Sequence, residues 1–469
     1  MDSPQDPTPT AADLDYSTPE GRRGFWAATV SSWLGTTMEY VDFALYGLAT
    51  ALVFNQVFFP EQGPLVALFV GFSTYAVGFL ARPLGAVFFG RLGDKHGRKV
   101  VLVVTVALMG GATTLIGLIP SYAQIGVAAP ALLVLMRLAQ GFGAGAELSG
   151  SAIILTEYAP RRRRGLVASV VALGSNSGTL LASAVWLAVL QLPEEQLFAW
   201  GWRIPFVASI FIAVAALLIR RVMKETPVFR AATDEEGESP AQARTSTPAE
   251  EEGASWWARN KAFFLMIGLR IGENGPSYMA QGFLVGYVAQ ALLVDESVPT
   301  TAVLIASILG FAVIPASGFL TDRFGRRIVY RVFCALLILI IVPAFMLLDS
   351  REPAVVITVI VVAMCLASLG IFGAQAAYGV ELFGVRNRFT KMALAKEIGS
   401  IASGGTAPAV ASGLLAAVGA WWPLAIYWIV MAGIGFVTTF LAPETRGRDL
   451  TALDDATVDP ALPGRSRTA

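Results

Sequence analysis

Apolar stretches of roughly twenty residues recur along this chain, each bounded by a short polar connection. A helix that crosses a bilayer needs roughly 20 mostly apolar residues. The pattern predicts twelve such helices. Six begin near Phe25, Pro64, Val100, Ala131, Leu166 and Trp202, and six near Lys261, Thr300, Val329, Val355, Phe389 and Trp422. The connections alternate in character. One set carries Arg91, Lys95, Arg98 and Lys99, then the run Arg161 to Arg164, then Arg220, Arg221 and Lys224. It continues with Arg323, Arg326, Arg327 and Arg331, then Arg386, Arg388 and Lys391. The opposite set (FPEQGP, PSYAQIGVAAP, QLPEEQLFAWG, VDESVP, DSREP, VGAWWP) has one basic residue, Arg351. Connections rich in Lys and Arg stay in the cytoplasm. Both termini are therefore expected there, which fits an even number of spans.

The longest connection, from about Arg221 to Trp257, has the polar middle DEEGESPAQARTSTPAEEEGAS and reads as a flexible linker. It separates two parts that repeat each other. GRLGDKHGRK at Gly90 matches GFLTDRFGRR at Gly318, with Asp94 and Asp322 228 residues apart. Glu157 followed by Arg164 matches Glu381 followed by Arg388 at an offset of 224, and KETP at Lys224 weakly matches PETR at Pro443. Three paired signals in one order indicate duplication of a six-helix unit. The expected organisation is a disordered cytoplasmic tail over 1–22, a first half over 23–222 and a linker over 223–258. A second half follows over 259–443, then a cytoplasmic tail over 444–469.

Composition agrees. The 469 residues are 55% hydrophobic and only 14% charged, with mean hydropathy +0.62, where a soluble domain is about 25% charged. Lys plus Arg equals Asp plus Glu, 34 each, so net charge gives no reason to expect a nucleic-acid partner. One histidine, His96, leaves no His-based metal site or catalytic triad. The two cysteines, Cys334 and Cys365, sit inside apolar runs and read as buried thiols. The acidic, proline-rich N-terminus has no signal-peptide pattern. No G-x-x-x-x-G-K-[ST] segment occurs, which argues against ATP drive. No cofactor is expected.

The chain resembles the major facilitator superfamily over nearly all its span-forming length, and within it the metabolite:H+ symporter group, which includes proline/betaine, shikimate, citrate and 2-oxoglutarate carriers. The residues that carry the resemblance are Glu39-Tyr40-Val41-Asp42-Phe43, Arg82-Pro83-Leu84-Gly85 and Arg137 with Gln140-Gly141-Phe142 and Glu147. Trp202-Arg203-Ile204-Pro205-Phe206, Glu381-Leu382-Phe383 with Arg388, and Gly404-Gly405-Thr406-Ala407-Pro408 complete them. The resemblance implies alternating access around a small-molecule site midway between the halves, in a multi-pass cell-membrane protein expected to act as a monomer. The chain departs from the group at Gly384, at Phe389-Thr390-Lys391, and at Lys396-Glu397, where neutral polar residues are more usual.

The charges inside the spans are the candidate chemistry. An ionised group at the bilayer centre costs roughly 2.5–3.5 kcal/mol on insertion scales. Such groups should therefore face a cavity, find partners or hold a proton. At about 100° per residue, Glu39 and Asp42 lie about 60° apart, and Asp42 and Tyr46 about 40° apart, so all three can face one cavity. The resemblance suggests that Asp42 meets Arg137. Contact with an arginine favours the charged carboxylate and desolvation favours the protonated one, so switching between them ties protonation to conformation. Asp42 is the expected coupling acid, with Glu39 or Glu147 as relay; a fixed structural ion pair between spans 1 and 4 is the alternative.

Arg82 and Arg270 are candidates to hold a substrate carboxylate, although Glu273 at i+3 could neutralise Arg270 locally. Gly275-Pro276 should break or bend span 7 and expose backbone there, which adds Asn274, Tyr278 and Gln281, with Glu273 and Tyr46, to the candidate substrate contacts. Lys396 is expected to snorkel to the cytoplasmic rim. Asp94, Arg98, Glu157 and Arg164, with Asp322, Arg326, Glu381 and Arg388, form the expected cytoplasmic gate. The leading expectation is proton symport of a small carboxylate or zwitterion into the cell. A proton-independent facilitator or antiporter, a sensor without turnover and an intramembrane enzyme are the alternatives; the enzyme lacks any legible nucleophile–base pair.

Overall fold

The computed structural model describes residues 19–222, 256–384 and 388–458, apart from 97, 146, 451 and 453. The core of the expected linker lies outside the described residues, as do the side chains of Asp94, Arg98 and Glu147. The described chain is all helical. In its first part the main helices are α1 (Pro19–Leu52), α2 (Pro64–His96), α3 (Arg98–Ile116), α4 (Ala128–Ala144), α5 (Glu147–Tyr158), α6 (Arg164–Val189) and α7 (Ile204–Val222). The second part holds α8 (Trp256–Tyr278), α9 (Ser297–Phe324), α10 (Arg326–Leu348), α11 (Pro353–Met364), α12 (Ile371–Glu381), α13 (Arg388–Ser400), α14 (Ala407–Val418) and α15 (Trp422–Leu441).

Helix is the form that satisfies every backbone group within its own segment, which lipid demands. Among the described residues, eight helices are long and apolar enough to cross a membrane. The helices α1 and α8 are not among them, and both carry interior charges: Glu39 and Asp42 in the first, Arg270 and Glu273 in the second. Their polar side chains are covered by neighbouring helices and not by lipid. Both cysteines are free thiols, Cys334 buried and Cys365 partly so.

Pro276 does not break span 7. Helix α8 runs through it, and the chain then widens into π-helical turns at Met279–Phe283 and Tyr287–Ala291. Similar wide turns follow α11 at Cys365–Gly370 and α13 at Ile401–Gly405. Such turns are frequent at functional sites.

The two parts meet along two seams, α6 against α9 and α2 against α14. In the first seam Asn176 donates to the Ser307 carbonyl at 2.8 Å. Within the first part α2 packs tightly on α4. A Cβ on Gly141 would sit 1.8 Å from the Gly78 carbonyl oxygen, so only glycine permits this approach. The approach fixes the spacing of Arg82 on α2 and Arg137 on α4. Gly141→Ala is expected to push these helices apart and destabilise the purified protein by about 2 kcal/mol or more, seen as a lower melting temperature in detergent.

Candidate functional site

The interior charges converge on the boundary between the two parts. Arg82 Nη2 lies 2.8 Å from Glu39 Oε1 on α1, and Arg82 Nε lies 2.8 Å from Glu397 Oε2 on α13. All three side chains are buried. The contact to Glu39 is an aligned hydrogen bond. The contact to Glu397 is not aligned, so it acts through charge and not through direction. One guanidinium thus ties span 1 to span 2 and the first part to the second. Beside it, Arg270 donates to Glu273 at 2.5 Å and to Ser400 Oγ at 3.0 Å. Glu273 also accepts from Ser277 at 3.2 Å.

Helix α1 does not present both acids to one cavity. Asp42 faces the α3–α4 side, 4% exposed, with Oδ2 lacking a hydrogen-bond partner. No ion pair joins it to Arg137. That arginine donates to Gln140 at 2.6 Å and to the Tyr75 carbonyl at 3.4 Å. Its guanidinium stacks over the Tyr46 and Tyr75 rings, 4.1 and 4.8 Å from their centroids. Tyr46 bonds Thr74 at 2.7 Å, and belongs to this aromatic cradle and not to the cavity wall. The expected Asp42–Arg137 contact is therefore open in this conformation, and Glu39 has the partner that α1 alone did not reveal.

The cavity between the parts is lined from α1 by Tyr40, Phe43, Ala44 and Gly47, and from α8 and its extension by Asn274, Tyr278 and Gln281. Glu273, Ser277 and Thr179 add polar groups. The expected substrate residues Asn274, Tyr278 and Gln281 thus line the cavity. Arg82 and Arg270 sit beside it, engaged with acids. Lys396 does not snorkel: it is 4% exposed, because α13 packs against both α8 and α2.

Contacts join the two parts at both ends of the spans. At one end Asn55 donates to Gln290 at 3.0 Å, and a Cβ on Gly413 would meet the Phe69 ring at 3.2 Å. At the arginine-rich end Asp322 accepts from the backbone N–H groups of Gly165 at 2.8 Å and Leu166 at 2.9 Å, capping the start of α6 across the boundary. Arg326 donates to Asp322 at 2.7 Å and grips Glu381 through two bonds of 3.0 Å. Arg388 meets Glu157 at 2.9 Å, again across the boundary. Arg164 reaches the Arg448 carbonyl at 2.5 Å.

The structure adds a strap the sequence reading left as a tail. Glu444 accepts from the Arg326 and Arg327 N–H groups at 2.9 and 3.1 Å, and Thr445 donates to Glu381 at 2.8 Å. Asp455 accepts from Lys391 and from the Gly384 N–H, both at 3.0 Å. The PETR repeat at Pro443 was the signal that could have found this strap.

A helical membrane protein with a cavity between two interlocked parts has the architecture of a transporter. The model of a family described as "Sugar (and other) transporter" matches residues 28–456. A putative transporter, YdfJ, of Escherichia coli is 43% identical over 422 residues, covering 89% of this chain and 97% of that protein. The glycine betaine/proline/ectoine/pipecolic acid transporter OusA of Dickeya dadantii is 34% identical over 92% of this chain and 86% of its own. The shikimate transporter of Escherichia coli is 34% identical over 89% and 94%. The fold matches the proton:xylose symporter XylE bound to 6-bromo-6-deoxy-D-glucose, with TM-score 0.70 at 15% identity over 92% of this chain and 98% of that one. The chain belongs to the sugar (and other) transporter family of the major facilitator superfamily, in its metabolite:H+ symporter group. It is a multi-pass transporter of the cell membrane and not an enzyme.

Arg326→Ala would leave the buried Glu381 and the half-buried Asp322 without their cation. A loss of about 3–5 kcal/mol is expected, read as a fall in melting temperature of the purified protein. Arg326→Lys should recover only part, since an ammonium cannot grip Glu381 through two parallel bonds. An unchanged melting temperature in Arg326→Ala would show that the gate carries no stability.

Proposed function

We infer that this transporter carries a small carboxylate or zwitterionic metabolite into the cell by proton symport. In this reading twelve spans form two six-helix halves, both termini lie in the cytoplasm, the arginine-rich end is the cytoplasmic gate, and the unit is a monomer. The observation that carries the reading is Asp42, a buried carboxyl without an ion pair, with the buried Arg137 nearby held on tyrosine rings. Burial costs an ionised carboxylate its water, and the hydrogen bond with Thr113 and the charge of Arg137 offset only part of that cost. Asp42 therefore holds the coupling proton in the closed conformation and gives it up when rearrangement brings Arg137 onto it. Arg137 can move between the two arrangements because aromatic faces and a neutral Gln140 hold it less tightly than a carboxylate does.

The substrate class is supported by the cations beside the cavity and by the names of the relatives, a betaine/proline/ectoine/pipecolic acid transporter and a shikimate transporter. Glu39 or Glu147 is the relay acid of this reading. Asp42→Asn is expected to abolish uptake driven by an imposed proton gradient in proteoliposomes, by at least tenfold, while leaving exchange of labelled for unlabelled substrate intact. Undiminished gradient-driven uptake would refute the assignment.

A further inference from the structure

We propose that Lys396, buried on α13 beside the cavity, is the receptor for the substrate's carboxylate. The proposal rests on the carboxylate reading above and names the group that meets the ligand's charge.

Lys396 is 4% exposed and makes no hydrogen bond or ion pair to any described residue. A buried ammonium carries three donors and a compact charge, and leaving it without an anion costs several kcal/mol, on the order of the penalty for one desolvated ion. The acids within its electrostatic reach are Glu397, Glu273 and Glu39, and the nearby cation Arg270 adds repulsion. Each of those acids has another cation. Glu397 follows Lys396 in sequence, projects about 100° away on the helix, and lies against Arg82. Glu39 is bonded to the same arginine, and Glu273 to Arg270.

Lys396 also stands in register with the polar face of α8. Lys396, Ser400 and Gly404 lie at i, i+4 and i+8, one above the other on one face. Opposite them, Arg270, Asn274 and Tyr278 repeat the same spacing. The registers interlock: Ser400 accepts from Arg270 at 3.0 Å, and a Cβ on Gly404 would stand 2.0 Å from Asn274 Nδ2 and 3.0 Å from the Tyr278 ring. Asn274 Nδ2 is buried and has no acceptor among the described residues. Asn274 and Tyr278 line the cavity, so the stripe runs from the cavity wall down to Lys396. In the proposed pose the ligand's body lies in the cavity beside Asn274 and Tyr278, and its carboxylate reaches the Lys396 end of the stripe.

The test is equilibrium binding to the purified full-length protein in detergent. The probes are shikimate, proline and glycine betaine, each set against its carboxamide. At least one carboxylate should bind the wild type, and its amide at least tenfold more weakly. Lys396→Met should weaken that carboxylate at least tenfold and erase the preference over the amide, while Lys396→Arg should keep most of both. Wild-type affinity in a folded Lys396→Met would overturn the proposal and leave the carboxylate reading standing. Binding of none of the three carboxylates by the wild type would overturn both. If Lys396→Met does not fold, Lys396→Gln and the wild-type comparison decide, and equal affinity for carboxylate and amide overturns the proposal.

Discussion

The structure turns on one constraint: a charge inside a membrane must have its partner inside the protein. Arg82 meets that constraint for three elements at once. It stands between Glu39 on α1 and Glu397 on α13, all three buried. The close α2–α4 approach at Gly141 and Gly78 fixes where the arginine sits. The α13–α8 contact fixes where Glu397 and Lys396 point. Removing one partner from such a set strands the others in a medium that cannot solvate them. Helix spacing in one part and the closure between the parts are therefore coupled through a single guanidinium.

The gate at the arginine-rich end repeats the logic. Arg326 joins Asp322 to Glu381 within the second part, and Asp322 then reaches across to the start of α6. Arg388 and Glu157 make a second crossing. A carboxylate cap on a helix N-terminus and a surface-side ion pair are cheap to break compared with a buried triad. The crossings between the parts, a backbone cap and one part-exposed ion pair, are contacts a transporter can break when it reopens, while the buried Arg326–Glu381 pair stays within the second part.

Much of this was legible in the sequence. The spans follow from apolar runs, and the gate follows from the duplicated G-x-x-x-D-x-x-G-R pattern with the Glu157–Arg164 and Glu381–Arg388 pairs, because each is a local signal. Glu39 was visible as a buried acid but its partner was not, since Arg82 is 43 residues away and only packing sets their distance. Asp42 and Tyr46 were expected to share a cavity with Glu39. Angles along one helix give relative direction, yet they do not say which neighbour each direction meets. Lys396 was misread because depth was counted from the end of its own span. The neighbours that seal it, α8 and α2, lie elsewhere in the chain.

The central claim is that Arg82 and Glu397 hold the two parts together as a charge pair. A double-mutant cycle on Arg82→Gln and Glu397→Gln, read as unfolding free energy of the purified protein, tests it most directly. The account predicts that each single change destabilises, that the double change costs clearly less than the sum, and that the coupling is about 1–3 kcal/mol. Additive losses would contradict it.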